Sequence, residues 1–116
     1  MFRLNEGWKV YLHREPVDFR LSIGGLSVLV EQALGLDPFA CCAYVFSNRR
    51  RDRVKILGWE SNGFWLMLKR LEKERFIWPS LDAVPTLTVE QLHWLLEGID
   101  IAMVQRHPCL LYRSVA

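Results

Sequence analysis

At 116 residues, with 51% hydrophobic and 24% charged, the chain has the composition of one soluble domain large enough to bury a core. No apolar run approaches the roughly 18 residues that span a bilayer, and MFRLNEGWKVYLHRE lacks the layout of a secretory signal; a cytoplasmic protein with no membrane partner is expected. The net charge of +2 is unevenly spread: residues 44–79 hold nine Lys/Arg against four Asp/Glu, a net of +5, while the rest of the chain carries a net of −3.

The first element is expected over residues 8–14, where Trp8, Val10 and Leu12 alternate with Lys9, Tyr11 and His13 as in a strand with one buried face. Glu15-Pro16 breaks it. Asp18 is the expected helix N-cap, and Phe19, Ile23, Leu26, Val30 and Ala33 then form one helical stripe, widened by Leu29 and Leu34. Gly24-Gly25 lies inside that stripe at a cost of about 1 kcal/mol per glycine. The pair implies close packing, a delayed helix start near Leu26, or a contact. Gly35 and Asp37-Pro38 end the segment.

Four strand-like runs follow, Ala43–Ser47, Val54–Trp59, Phe64–Leu71 and Arg75–Trp78, separated by short polar breaks. Ser61-Asn62-Gly63 reads as a tight turn, and breaks this short favour an antiparallel meander. After an irregular stretch containing Pro85, Thr88 and Gln91 match a capping box, and Leu92, Leu95, Leu96 and Ile99 supply a dense apolar helix face. The expected fold is α+β: an antiparallel sheet of four to five strands with two helices packed on one face. A single domain over residues 1–101 is expected, followed by a tail, 102–116, with no clear period.

Motifs for chemistry are sparse. Cys41, Cys42 and Cys109 make no CxxC, and His13, His93 and His107 stand singly, so no metal site is expected and the cysteines read as reduced thiols. No phosphate-cradling glycine pattern occurs, so no cofactor is expected. Cys, His and Asp residues show no signature of a nucleophile with its base, and the chain is expected to be non-enzymatic.

The sharper feature is Arg49-Arg50-Arg51-Asp52-Arg53, four guanidinium groups in one expected hairpin loop, followed by Lys55. Guanidinium pairs with phosphate through two parallel donors, so such a loop suits a nucleic-acid backbone; it also suits a plain solvated hairpin tip. Lys69, Arg70, Lys73 and Arg75 form a second basic group. Interleaved Trp59, Trp65 and Trp78 are candidate base-stackers, or core residues of the strands.

Several motifs together resemble one family. Asp18-Phe19-Arg20 leading to Gly25-Leu26 comes first, then Phe46 with Arg49-Arg50, Lys55 and Trp59. Gly63, Lys69-Arg70-Leu71 and Phe76-Ile77-Trp78-Pro79 follow, and Leu87-Thr88, Gln91-Leu92 and Leu95-Leu96-Glu97-Gly98-Ile99-Asp100 close the series. The chain resembles, from about Val10 to Asp100, the TnpB-type accessory proteins of the sixty-six family of bacterial insertion sequences, not the RNA-guided nuclease of the same label. It departs from them at Gly24, where Asp or Asn is common, and at Leu21, where many members carry a base. The resemblance implies a helper to the element-encoded transposase in transposition of a mobile element; taken with the charge segregation, contact with element DNA, with the transposase, or with both is expected. It implies no catalytic residue. The rival expectation is a protein-interaction module that holds the transposase without touching DNA.

Overall fold

The computed structural model describes residues 7–79 and 86–101. The expected tail and Pro85 lie outside the described residues, as do Cys109 and His107. The elements are β1 (Lys9–Leu12), α1 (Ile23–Ala33), β2 (Cys42–Ser47), β3 (Arg53–Glu60), β4 (Gly63–Arg70), β5 (Thr86–Leu87) and α2 (Val89–Leu96).

β2 is apolar at nearly every position, and this decides its place. Ala43, Tyr44, Val45 and Phe46 are all buried, so both faces of the strand need cover. The sheet order β4-β3-β2-β1-β5 puts β2 in the middle. β2, β3 and β4 form the expected antiparallel meander. β1, however, runs parallel to β2, with Val10 beside Ala43 and Leu12 beside Val45. The sheet is therefore mixed rather than purely antiparallel. A parallel neighbour needs a long crossover, and residues 13–41, with α1 inside them, supply it.

Period-2 alternation sorts the core into two layers. Val10, Leu12, Ala43, Val45, Val54 and Ile56 point to one face and pack with Leu92 and Leu95 of α2. Tyr44, Phe46 and Leu57 point to the other and pack with Leu26 and Val30 of α1. The two helices thus cover opposite faces, not one as the sequence suggests. A strand buried on both sides could not be served by helices on a single face. Each fully buried leucine of these layers contributes about 1.5–3 kcal/mol by its removal from water.

Local expectations fare unevenly. Thr88 caps α2 through a complete capping box: its Oγ1 accepts from the Gln91 amide at 3.1 Å, and Gln91 Oε1 accepts from the Thr88 amide at 2.9 Å. α1 instead starts at Ile23 with Ser22 as N-cap, and Asp18 is not its cap. The Asp18 carboxylate accepts from the Arg20 amide and guanidinium, which holds its pKa down to about 2. Gly24 and Gly25 lie in the first turn of α1. A Cβ at Gly25 would stand 2.7 Å from Leu21 Cδ2 and 3.3 Å from Leu21 Cβ, so a side chain there would have to displace Leu21; Gly24 has open space around it. Arg75–Trp78 belongs to no strand, and the last strand is the short Thr86–Leu87 pairing with Val10 and Tyr11. No helix among the described residues is long and apolar enough to cross a membrane.

Candidate nucleic-acid interface

The β2–β3 turn is built by Asn48. Its Oδ1 accepts from the Asp52 and Arg53 amides, its Nδ2 donates to Asp52 Oδ1 at 2.6 Å, and its carbonyl accepts from the Arg51 amide. The donation from Asn48 Nδ2 also holds the Asp52 carboxyl below its ordinary pKa. Asn side chains stabilise turns by such backbone mimicry. With the turn fixed, the Arg49 and Arg50 side chains are exposed.

Tertiary folding brings the second basic group to the same end of the sheet. The Leu71 amide donates to Asp52 O at 2.8 Å and the Phe76 amide to Arg51 O at 2.7 Å, so the segment after β4 runs along the turn. Arg53 and Arg70 stand directly opposite each other across β3 and β4. Opposed like charges cost stability unless something offsets them. Arg70 bonds Glu72 at 3.0 Å, an exposed pair worth little. Arg49, Arg50, Arg53, Arg70, Lys73 and Arg75 are all exposed at this end.

Three of the basic residues expected at the contact donate to the chain's own carbonyls. Lys55 Nζ donates to the carbonyls of Phe19 and Leu21, both at 2.8 Å, and sits 4.8 Å from the centre of the Phe19 ring. Lys69 Nζ donates to Leu96 O at the end of α2, at 2.7 Å. Arg51 folds back: its guanidinium lies 4.7 Å over the Trp78 ring, Nη2 donates to Arg14 O at 3.1 Å, and Nη1 is buried without a hydrogen bond. Burial pushes the Arg51 pKa below its ordinary value, offset in part by the nearby Glu15 carboxylate. Arg51 also holds φ +59°, a left-handed backbone that costs a non-glycine residue about 1 kcal/mol.

The tryptophans are dispersed. Trp59 packs edge-on against Phe39 and Phe64 at centroid distances of 4.9 Å, at the far end of β3 from Arg53. The eight residues of β3 place those ends roughly 24 Å apart. Trp65 lies near the same far end, its indole donating to Glu60. Trp78 is at the basic end, but Arg51 covers its ring and Nε1 donates to His13 O at 3.1 Å. The three therefore make no continuous stacking surface beside the arginines.

Sequence reasoning missed Asn48, Arg14 and Phe39. Only Asn48 left a signal, as an Asn opening a polar turn. Arg14 reaches Arg51 from 37 positions away, which no local pattern encodes. A groove of about 560 Å³ beside Arg49 is lined by Glu15, Pro16, Val17 and Asp18. Its two carboxylates disfavour an anion there.

Residues 8–106 match the family model described as IS66 Orf2 like protein. The chain belongs to the IS66 Orf2-like family. It is 34% identical over 105 residues to the uncharacterized protein y4jC of Sinorhizobium fredii (strain NBRC 101917 / NGR234), covering 90% of each chain. It is 32% identical over 101 residues to the uncharacterized protein y4hO of the same organism, covering 86% of this chain and 84% of that one. No solved structure matches it. Family membership makes it an insertion-sequence-associated protein.

Proposed function

We propose that the chain is a non-enzymatic accessory factor in DNA transposition, one that binds the backbone of its element's DNA through the basic end of the sheet. The observation that supports this reading is the gathering of Arg49, Arg50, Arg53, Arg70, Lys73 and Arg75, from two separate chain segments, on one exposed end. Arg53 and Arg70, opposed in register, would gain a shared counter-anion from a phosphate. Contact with phosphates positions a protein without reading sequence, so binding is expected to be backbone-directed. With Trp59 and Trp65 remote from the arginines, base stacking is not part of this contact.

Fluorescence anisotropy with element-end and random duplexes across a salt series tests it. Six phosphate contacts give a log K against log salt slope of about −5. Arg49→Ala/Arg50→Ala/Arg53→Ala should flatten that slope by about 3 and weaken both duplexes alike. Absence of binding at low salt, or a triple variant that binds as well as wild type, would sink the DNA role. The rival reading, a module that holds the element's transposase without DNA, predicts co-purification with transposase that survives nuclease treatment. A DNA-bridged complex would not survive it.

A further inference from the structure

β4 combines an apolar sequence with exposure. Trp65, Met67 and Leu68 are 44, 39 and 61% exposed, and all three lie on this one strand. Its outer edge pairs with no strand among the described residues. Soluble proteins blunt free edges with charge, proline, bulges or shortness. β4 has none of these: it is eight residues long, pairs with β3 in unbroken register, and carries no charge before Lys69. The opposite edge of the sheet, β5, has only two residues.

We propose that β4 pairs antiparallel with β4 of a second copy about a two-fold axis through Leu66, joining two five-stranded sheets into one. Residues opposed in an antiparallel pair point to the same face, so a two-fold axis normal to the sheet must pass through a residue that opposes itself. With Leu66 on the axis, Trp65 meets Met67 of the second copy on the α2 face, and Phe64 meets Leu68 of the second copy on the α1 face. Lys69 then faces Gly63 of the second copy. The β3 neighbour of Gly63 is Glu60, on the same face, and a Cβ at Gly63 would have nothing within 4 Å. The Lys69 stem, whose ammonium is held by Leu96 O, thus lies over an open position and meets no bulky side chain, once at each end of the paired strands. Other registers are poorer. An axis at Trp65 sets Met67 against Gly63 and Leu68 against Asn62; an axis at Met67 sets Lys69 against Trp65 and Arg70 against Phe64. This self-complementarity is what selects a second copy as the occupant.

The two-fold sends the basic ends in opposite directions, with Arg70 and its counterpart roughly 27 Å apart along the strands. Combined with the DNA reading above, on which this one consequence rests, the dimer would hold one DNA segment at each end.

Sedimentation velocity of the full chain, without DNA, from low to high micromolar concentration tests the pairing. The mass should move from 13.6 kDa towards twice that value. Met67→Lys/Leu68→Lys, at exposed positions, should raise the dimer Kd by about 100-fold or more and leave the far-UV circular dichroism unchanged. In a background with Cys41, Cys42 and Cys109 changed to Ser, Leu66→Cys should form a disulfide-linked dimer on mild oxidation. Leu68→Cys should not, because it opposes Phe64. A monomer at every concentration, a dimer indifferent to the double lysine change, or preferential cross-linking of Leu68→Cys would overturn the proposal. The measurement contains no DNA, so it stands or falls apart from the DNA reading.

Discussion

Lys55 separates a structural cation from a binding one, and Lys55→Met makes the test. In the native state its ammonium donates to the Phe19 and Leu21 carbonyls, which immediately precede the N-cap of α1 at Ser22. It ties the entry of that helix to the first half of β3. A hydrogen bond to a charged group is worth about 1.5–3 kcal/mol, and removing the donor leaves two partly buried acceptors. The side chain is only part-buried, so water recovers some of that loss, and the net destabilisation should be about 2–3 kcal/mol. Methionine keeps most of the aliphatic stem, so little of this reflects lost packing. With an m-value of about 1.5–2 kcal/mol/M for a chain this size, the urea midpoint should fall by about 1–2 M, followed by tryptophan fluorescence. DNA affinity under native conditions should change less than about threefold, whereas Arg49→Ala/Arg50→Ala should weaken binding and leave the midpoint within about 0.5 kcal/mol of wild type. A Lys55→Met protein that unfolds at the wild-type urea concentration, or that loses DNA binding as fully as the arginine pair, would refute this assignment.

Arg51 offers a second partition. Arg51→Ala removes the Trp78 contact and the bond to Arg14 O while keeping an unfavourable φ, for a loss of about 1–2 kcal/mol; Arg51→Gly should cost about 1 kcal/mol less, since glycine accepts φ +59° freely, and equal midpoints for the two would argue against backbone strain. Thr88→Ala should cost about 1 kcal/mol by thermal or urea denaturation, because the capping box loses its hydroxyl acceptor, and a neutral result would mean the α2 start is held by packing alone. Asp18 should titrate near pH 2 by carboxyl NMR, and Arg20→Ala should return its midpoint towards the ordinary value near 3.8. Because the folded pKa is the lower one, the pair's stabilisation is present above about pH 4 and is lost as pH falls towards 2, and an unchanged midpoint in Arg20→Ala would show that another group depresses it.

The chain's own order of residues determined its local elements, wherever one face or one cap settles the matter. Val10 and Leu12 announce a strand, Thr88 with Gln91 announces a helix start, and the runs around Val45, Ile56 and Leu66 announce three neighbouring strands joined by short turns. These signals act over two to four residues, the range at which strand alternation and capping operate. The charge imbalance of residues 44–79 was equally legible, since it needs only counting.

Tertiary structure decided what those elements do with one another. A strand such as β2, apolar throughout, states that both faces are covered but not by which helix, so the parallel β1–β2 pairing and the helices on opposite faces could be read only from the assembled sheet. The same holds for the cations. Nothing within five residues of Arg51 or Lys55 distinguishes them from Arg49 and Arg50; their partners, Trp78, Arg14, Phe19 and Leu21, lie far off in sequence, and only folding brings them within bonding distance. Composition placed the positive charge in one stretch, and the fold divided it into arginines that face solvent and cations that hold the structure together.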